Sequence, residues 1–168
     1  MTTDYEEYLK TWITDVLSQP QGLLNSFPTC PFAKKALVDN KVLFLKTDDY
    51  VADIANMFDN WNDQYDVAIA VCPDTVDADT FVKDVAQLNE TYLSKGFACL
   101  EDHVDIPETL HTITFNNGKY NIILCQRVEG LNAASRMLAR SNYYINWPDE
   151  LYDEVVRWRF ESLSQADL

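Results

Sequence analysis

A chain of 168 residues that is 47% apolar and 12% aromatic has a globular composition and the length of one domain, residues 1–168, around a single core. Its 27 acidic side chains against 13 basic ones give a net charge of -14, which repels phosphate backbones and disfavours direct nucleic-acid binding. No apolar run reaches the length of a membrane span, and the acidic, amphipathic opening "MTTDYEEYLKTW" is no signal peptide, so a cytoplasmic protein away from membranes is expected.

The first predicted element is a helix over residues 4–18. Tyr5, Tyr8, Leu9, Trp12, Ile13 and Val16 recur at helical spacing, and Asp4, Glu6 and Glu7 stand in the first turn, where carboxylates favour the helix dipole. "SQPQG" ends it through Pro20 and Gly22. Residues 23–39 should hold a short second helix beginning near Cys30, and "DNK" turns the chain. "KVLFLKT" reads as a strand, and residues 49–62 place Val51, Ile54, Ala55, Phe58 and Trp61 on one helical face. "DVAIAVCP" is a second strand, apolar enough to be covered on both faces. A helix with the stripe Phe81, Val85, Leu88 and Tyr92 follows, stopped by Gly96.

"FACLEDHVD" should be a third strand. In "TLHTITFNNGKYNIILCQR" two strand-like runs flank Asn117-Gly118, the dipeptide that type I′ hairpin turns favour because both central residues take positive φ. Two helices finish the chain, in "LNAASRMLARS" and from "WPDELYDEVVRWRF", where Pro148 suits a first turn. The predicted fold class is α+β: a mixed sheet of about five strands, near 41–47, 66–72, 97–103, 110–116 and 119–127, covered by helices.

Cys30, Cys72, Cys99 and Cys125 show no C-x-x-C spacing, so neither a redox dithiol nor a zinc knuckle is indicated, and reduced thiols are expected. Cys30 is the one with chemistry in its surroundings. With Thr29 as N-cap its thiol stands in a first helical turn, and Lys34 and Lys35 follow; unpaired N–H groups and cations of this kind lower a thiol pKa. The other reading of Cys30 is a structural capping residue. The only histidines are His103 and His111. "EDHVD" places Glu101, His103 and Asp105 on one strand face, to which His111 or Cys99 would have to add for a metal site; a solvated strand end explains the same residues. No metal or cofactor is therefore expected.

"TCPFAKKAL" resembles the glutaredoxin pattern C-P-[YF]-C-x-x-A with Ala33 in place of the second cysteine, and "IPETLHTITFNNGK" resembles the proline-then-hairpin element of the thioredoxin superfamily. That resemblance implies monothiol chemistry at Cys30. A second resemblance covers about the first 100 residues. Trp12-Ile13, "LLNSFPTCPFAKKAL", "KVLFLKT" and "VAIAVCPD" come in the same order as the elements of an uncharacterised bacterial domain family with an LCPFA-(K/R) signature. Cys72 stands where that family has a histidine before Pro-Asp. This likeness implies a fold and no activity.

The acidic pairs Asp48-Asp49, Asp77 with Asp79, and Asp149-Glu150 suit helix caps and first turns. There is no P-loop, G-x-G-x-x-G, G-x-S-x-G or HExxH, and only four glycines are available for a phosphate-cradling loop. The tail is dense in aromatics: Tyr143, Tyr144, Trp147 and Trp158, with Arg157, either dock on the sheet or form a partner-binding surface of the type that dominates interface hot spots. Three functions follow. The first is a small acidic interaction or regulatory protein, with a basic protein partner or a second copy of itself. The second is a monothiol redox or thiol-transfer enzyme using Cys30, supported by Lys34 or Lys35. The third is an acidic mimic of nucleic acid that inhibits a basic partner.

Overall fold

The computed structural model of the chain describes residues 3–19, 21, 24, 30, 32–110 and 113–159. Helix α1 (Asp4–Trp12) starts on Thr3, whose hydroxyl accepts the Glu6 amide at 3.4 Å, with Asp4, Glu6 and Glu7 in its first turn. It passes into a π-helical turn, Ile13–Leu17. Of the predicted stripe, Leu9, Trp12 and Ile13 are buried in the core and Tyr5, Tyr8 and Val16 pack half-buried against it; Leu17 is buried beside them. Pro20, Gly22 and Thr29 lie outside the described residues. Helix α2 (Ala33–Val38) is shorter than expected and begins three residues after Cys30. The "DNK" turn then brings the chain round with Asn40 at φ 55.

Strand β1 (Val42–Lys46) leads through helix α3 (Tyr50–Asp59) to strand β2 (Val67–Val71), which pairs with it in parallel, Phe44 opposite Ile69. Such a pair needs a helical crossover because parallel strands run in the same direction. Asp49 caps α3, accepting the Ala52 amide at 3.3 Å. Helix α4 (Ala78–Tyr92) is capped by Asp77, which accepts the Thr80 amide at 2.9 Å. A 3-10 turn then ends on Gly96, whose φ of 93 is left-handed. Strand β3 (Phe97–Asp102) follows.

Strand β6 (Ile122–Arg127) completes the sheet by inserting between β2 and β3, antiparallel to both, in the order β1-β2-β6-β3. Alternation divides the side chains between two faces. On one, Ala68, Ala70, Cys72, Ile123, Cys125 and Cys99 meet α3 and α4 through Ile54, Phe58, Phe81 and Val85. On the other, Ile69, Val71 and Ile122 meet α1.

The fold is α+β as predicted, but among the described residues the sheet has four strands rather than five. The run 110–116 contributes to a separate two-stranded ribbon, β4 (Thr109–Leu110) with β5 (Ile113–Thr114). Asn117-Gly118 joins no hairpin. Gly118 has a φ of 79, yet Asn117 is absent from the described residues of positive φ, as a type I′ turn would require. The reason lies in the Asn117 side chain, which closes the turn itself. Its Oδ1 accepts the amides of Lys119 at 3.0 Å and Tyr120 at 2.7 Å, and its Nδ2 donates to Asp102 at 2.7 Å.

Helix α5 (Val128–Ala139) starts directly at the end of β6, and helix α6 (Asp149–Tyr152) continues into a π-helical turn, Asp153–Arg157. Pro148 stands at the N-cap of α6. The C-terminal helices share a smaller core with distant segments: Leu24, Ile113, Leu138, Tyr143 and Leu151. Among the described residues, no helix is long and apolar enough to cross a membrane.

Candidate functional site

A cavity of about 400 Å³ lies beside β3, which with β1 forms the two edges of the sheet. Its walls come from far-apart parts of the chain. The α1 side contributes Trp12, Leu17 and Cys30; α4 contributes Val82, Val85 and Ala86. Leu100 and Leu124 supply the sheet wall, and Trp147, Val155 and Trp158 close it from the C-terminal helices. The lining is predominantly hydrophobic, and its volume falls within the range of small-molecule sites.

Carboxylates supply the polar part of the wall: Glu101, Asp102, Glu108 and Glu154. Asp102 is held by asparagine donors. Its Oδ1 accepts Asn116 Nδ2 at 2.6 Å, and its Oδ2 accepts both the backbone N–H of Asn117 at 2.9 Å and Asn117 Nδ2 at 2.7 Å. Asn116 Oδ1 in turn accepts the Glu108 amide at 2.7 Å, so this network positions the segment carrying Glu108 over the cavity. Trp12 is fixed from the same side, its Nε1 donating to the Phe115 carbonyl at 3.0 Å.

Among the described residues, none donates to the Glu108 carboxylate in this way. Burial, followed by the nearby charges of Glu154, Glu101 and Asp102, pushes its carboxyl up to about 7. Burial also raises Glu101, with Glu154 adding to the effect, although the residue's own backbone N–H opposes it. Among the described residues no ion pair reaches Glu101, Glu108 or Glu154, and no Lys, Arg or His lines the cavity.

Cys30 lines this cavity, and its surroundings differ from the sequence expectation. The thiol accepts from the backbone N–H groups of Phe32 and Ala33, which lowers its pKa, but burial outweighs them and the pKa is raised. The backbone is tied down as well, Cys30 N–H donating to the Leu17 carbonyl at 2.9 Å. Lys34 is exposed, and Lys35 is exposed and paired with Asp39 at 2.5 Å; neither lines the cavity.

The remaining cysteines are unbridged and buried in the sheet core. Burial, with Cys99 nearby, pushes the Cys72 thiol up to about 12. Among the described residues no group of three or more His, Cys, Asp or Glu side chains could hold a metal ion. His103 has turned inward from "EDHVD": Nδ1 accepts the Asp105 amide at 3.1 Å, so Nε2 carries the proton it donates to the Val76 carbonyl at 2.8 Å. His111 lies outside the described residues.

The aromatic tail packs largely on itself. Tyr143 is buried, and the rings of Tyr143, Tyr144 and Trp147 pack against one another within 5.6 Å. Arg157 is exposed, pairs with Asp153 and lies over the Tyr152 ring. Of the residues singled out from sequence, the fold brings Cys30, Cys99, Glu101, Trp147 and Trp158 into the lining of one cavity and leaves Lys34, Lys35, Tyr143, Tyr144 and Arg157 outside it. Glu108 and Glu154 carried no sequence signal, because nothing local marks two glutamates that meet only through the tertiary fold. Comparison of the chain with family models, curated proteins and solved structures finds no match.

Proposed function

We propose that this protein is a small acidic regulatory or interaction protein that works by holding a small molecule with an apolar body beside β3. The observation that carries this reading is the cavity of about 400 Å³, walled by three tryptophans and aliphatic side chains from α1, α4, the sheet and the C-terminal helices. Because one ligand there touches elements from both ends of the sequence, binding would tie the C-terminal helices to the sheet and alter the surface offered to a protein partner. Trp12, Trp147 and Trp158 make the binding directly readable. Titration with 1-octanol should change indole fluorescence saturably with one site per chain. Ala86→Trp, which adds bulk from an exposed position on α4, should abolish that change while leaving the circular dichroism intact. A non-saturable response, or one that survives Ala86→Trp, overturns the reading.

A second reading, monothiol chemistry at Cys30, is favoured by the place of that thiol in the same wall. The raised thiol pKa weighs against it, since the thiolate is the nucleophile. The pH dependence of alkylation separates the two readings.

A further inference from the structure

The polar side of the cavity has one sign of charge. Glu101, Glu108 and Glu154 line it without an ion pair among the described residues; Glu154 raises the cost of ionising both of the others, and Glu101 raises that of Glu108. Glu101 and Glu108 are half-buried, and the exposed Glu154 lies near both. A proton or another positive group relieves the repulsion of this arrangement, because like charges repel more strongly where water is partly excluded. The same cavity is lined by three indoles, Trp12, Trp147 and Trp158, and the electron-rich face of an indole attracts cations. A neutral apolar ligand would use only the hydrophobic wall, and an anion would be repelled by the glutamates.

We propose that the occupant of this cavity is an amphipathic organic cation, with an ammonium group against Glu101, Glu108 and Glu154 and an apolar body between Trp12, Trp147 and Leu124. The inference rests on the cavity being a binding site, as argued above, and adds the charge and class of the ligand. About 400 Å³ leaves room for roughly a dozen non-hydrogen atoms at about 30 Å³ each, which suits a single ring system or a medium aliphatic chain rather than a lipid with two tails. Asp102 is already satisfied by Asn116 and Asn117, so it adds field without needing to meet the ligand.

Three probes with the same chain length test this on the full-length protein: octyltrimethylammonium, 1-octanol and octanoate, each followed by indole fluorescence and by calorimetry at pH 8. The ammonium should bind at least tenfold more tightly than octanol, and octanoate more weakly than either. Tetramethylammonium, which has the charge without the chain, should not compete, separating the site from general attraction to the acidic surface. The double variant Glu108→Gln, Glu154→Gln should lose at least tenfold in affinity for the ammonium while its affinity for octanol is unchanged, which also shows that the cavity is still formed. Octanol or octanoate binding as tightly as the ammonium, or a double variant with undiminished ammonium affinity, overturns the inference and leaves the apolar binding site standing. Octanol binding that does not saturate overturns both, whatever the ammonium does.

Discussion

Asn89 on α4 meets Cys99 on β3 with both ends of its amide: Oδ1 accepts the Cys99 N–H at 2.7 Å, and Nδ2 donates to the Cys99 carbonyl at 3.0 Å. These backbone groups point away from β6, because Cys99 and Cys125 face each other at a non-hydrogen-bonded position. Val128 N–H donates to the Gly96 carbonyl at 2.8 Å, which fixes the alternation. One side chain therefore does for the edge of the sheet what a further strand would do, and it does so next to the cavity.

Asn89→Ala leaves the donor and acceptor of a buried residue unpaired. Each such group costs about 1–3 kcal/mol, so a loss of about 2–6 kcal/mol is expected. Urea denaturation checks it as a lower midpoint with an unchanged slope. Asn89→Asp should be nearly as damaging, since a carboxylate can accept the amide proton but cannot donate to the carbonyl.

Two glycines should respond in opposite directions to alanine. A Cβ at either Gly96 or Gly130 meets nothing within 4 Å, so the backbone alone decides. Gly96 has a φ of 93, and Gly96→Ala should cost about 1–2 kcal/mol. Gly130 lies in α5, where Gly130→Ala should gain about 0.5 kcal/mol. Thermal melts of the two variants should bracket the parent protein.

Alkylation should distinguish a structural thiol at Cys30 from a reactive one. In the folded protein iodoacetamide should reach Cys30 alone, slowly at pH 7, with a rate that climbs above pH 9 because the thiol pKa is raised. Unfolding in urea should expose all four thiols. Mass spectrometry of the intact chain counts the additions, and rapid modification at pH 7 would restore the case for thiol chemistry.

Stability should depend on pH through Glu108. Its carboxyl stands near 7 in the folded state, against 4.5 for the ordinary side chain. Between those values the folded chain holds a proton that the unfolded chain has released. The folded state is therefore favoured below about pH 4.5, and this contribution is lost as pH rises through 7. Glu154, Glu101 and Asp102 face the same group and reinforce the direction. Glu108→Gln should raise the melting temperature more at pH 8 than at pH 5; equal shifts at both would show that the carboxyl titrates normally.

The parts of this fold that could be read from the sequence are those governed by neighbours. The stripes of α1 and α4 repeat at helical spacing, as does that of α3 except that Val51 is exposed and Tyr50 buried. Asp49 and Asp77 mark the caps of α3 and α4, and Gly96 marks a stop. The Asn117-Gly118 hairpin misled because the local signal for a turn was real while the strand partner was not: Asp102, fifteen residues away, competes for the Asn117 side chain. Cys30, Trp147 and Trp158 stood out for reasons unrelated to one another, and only the tertiary fold makes them neighbours in one wall. Glu154 sits among acids in a helical turn, where it reads as an ordinary solvated face, so its partnership with Glu108 had no trace in the sequence.

The insertion of β6 has a consequence for how the molecule is made. The strand that joins β2 to β3 is synthesised after both, so the two remain unconnected on a growing chain until residues 122–127 emerge. Closure depends on contacts between distant segments, which slows folding and leaves apolar strand edges open in the interval. A chain terminated before Ile122 would keep Ile69, Val71, Cys99 and Leu100 on unpaired edges. Such a fragment should accumulate as aggregate rather than as a smaller folded protein.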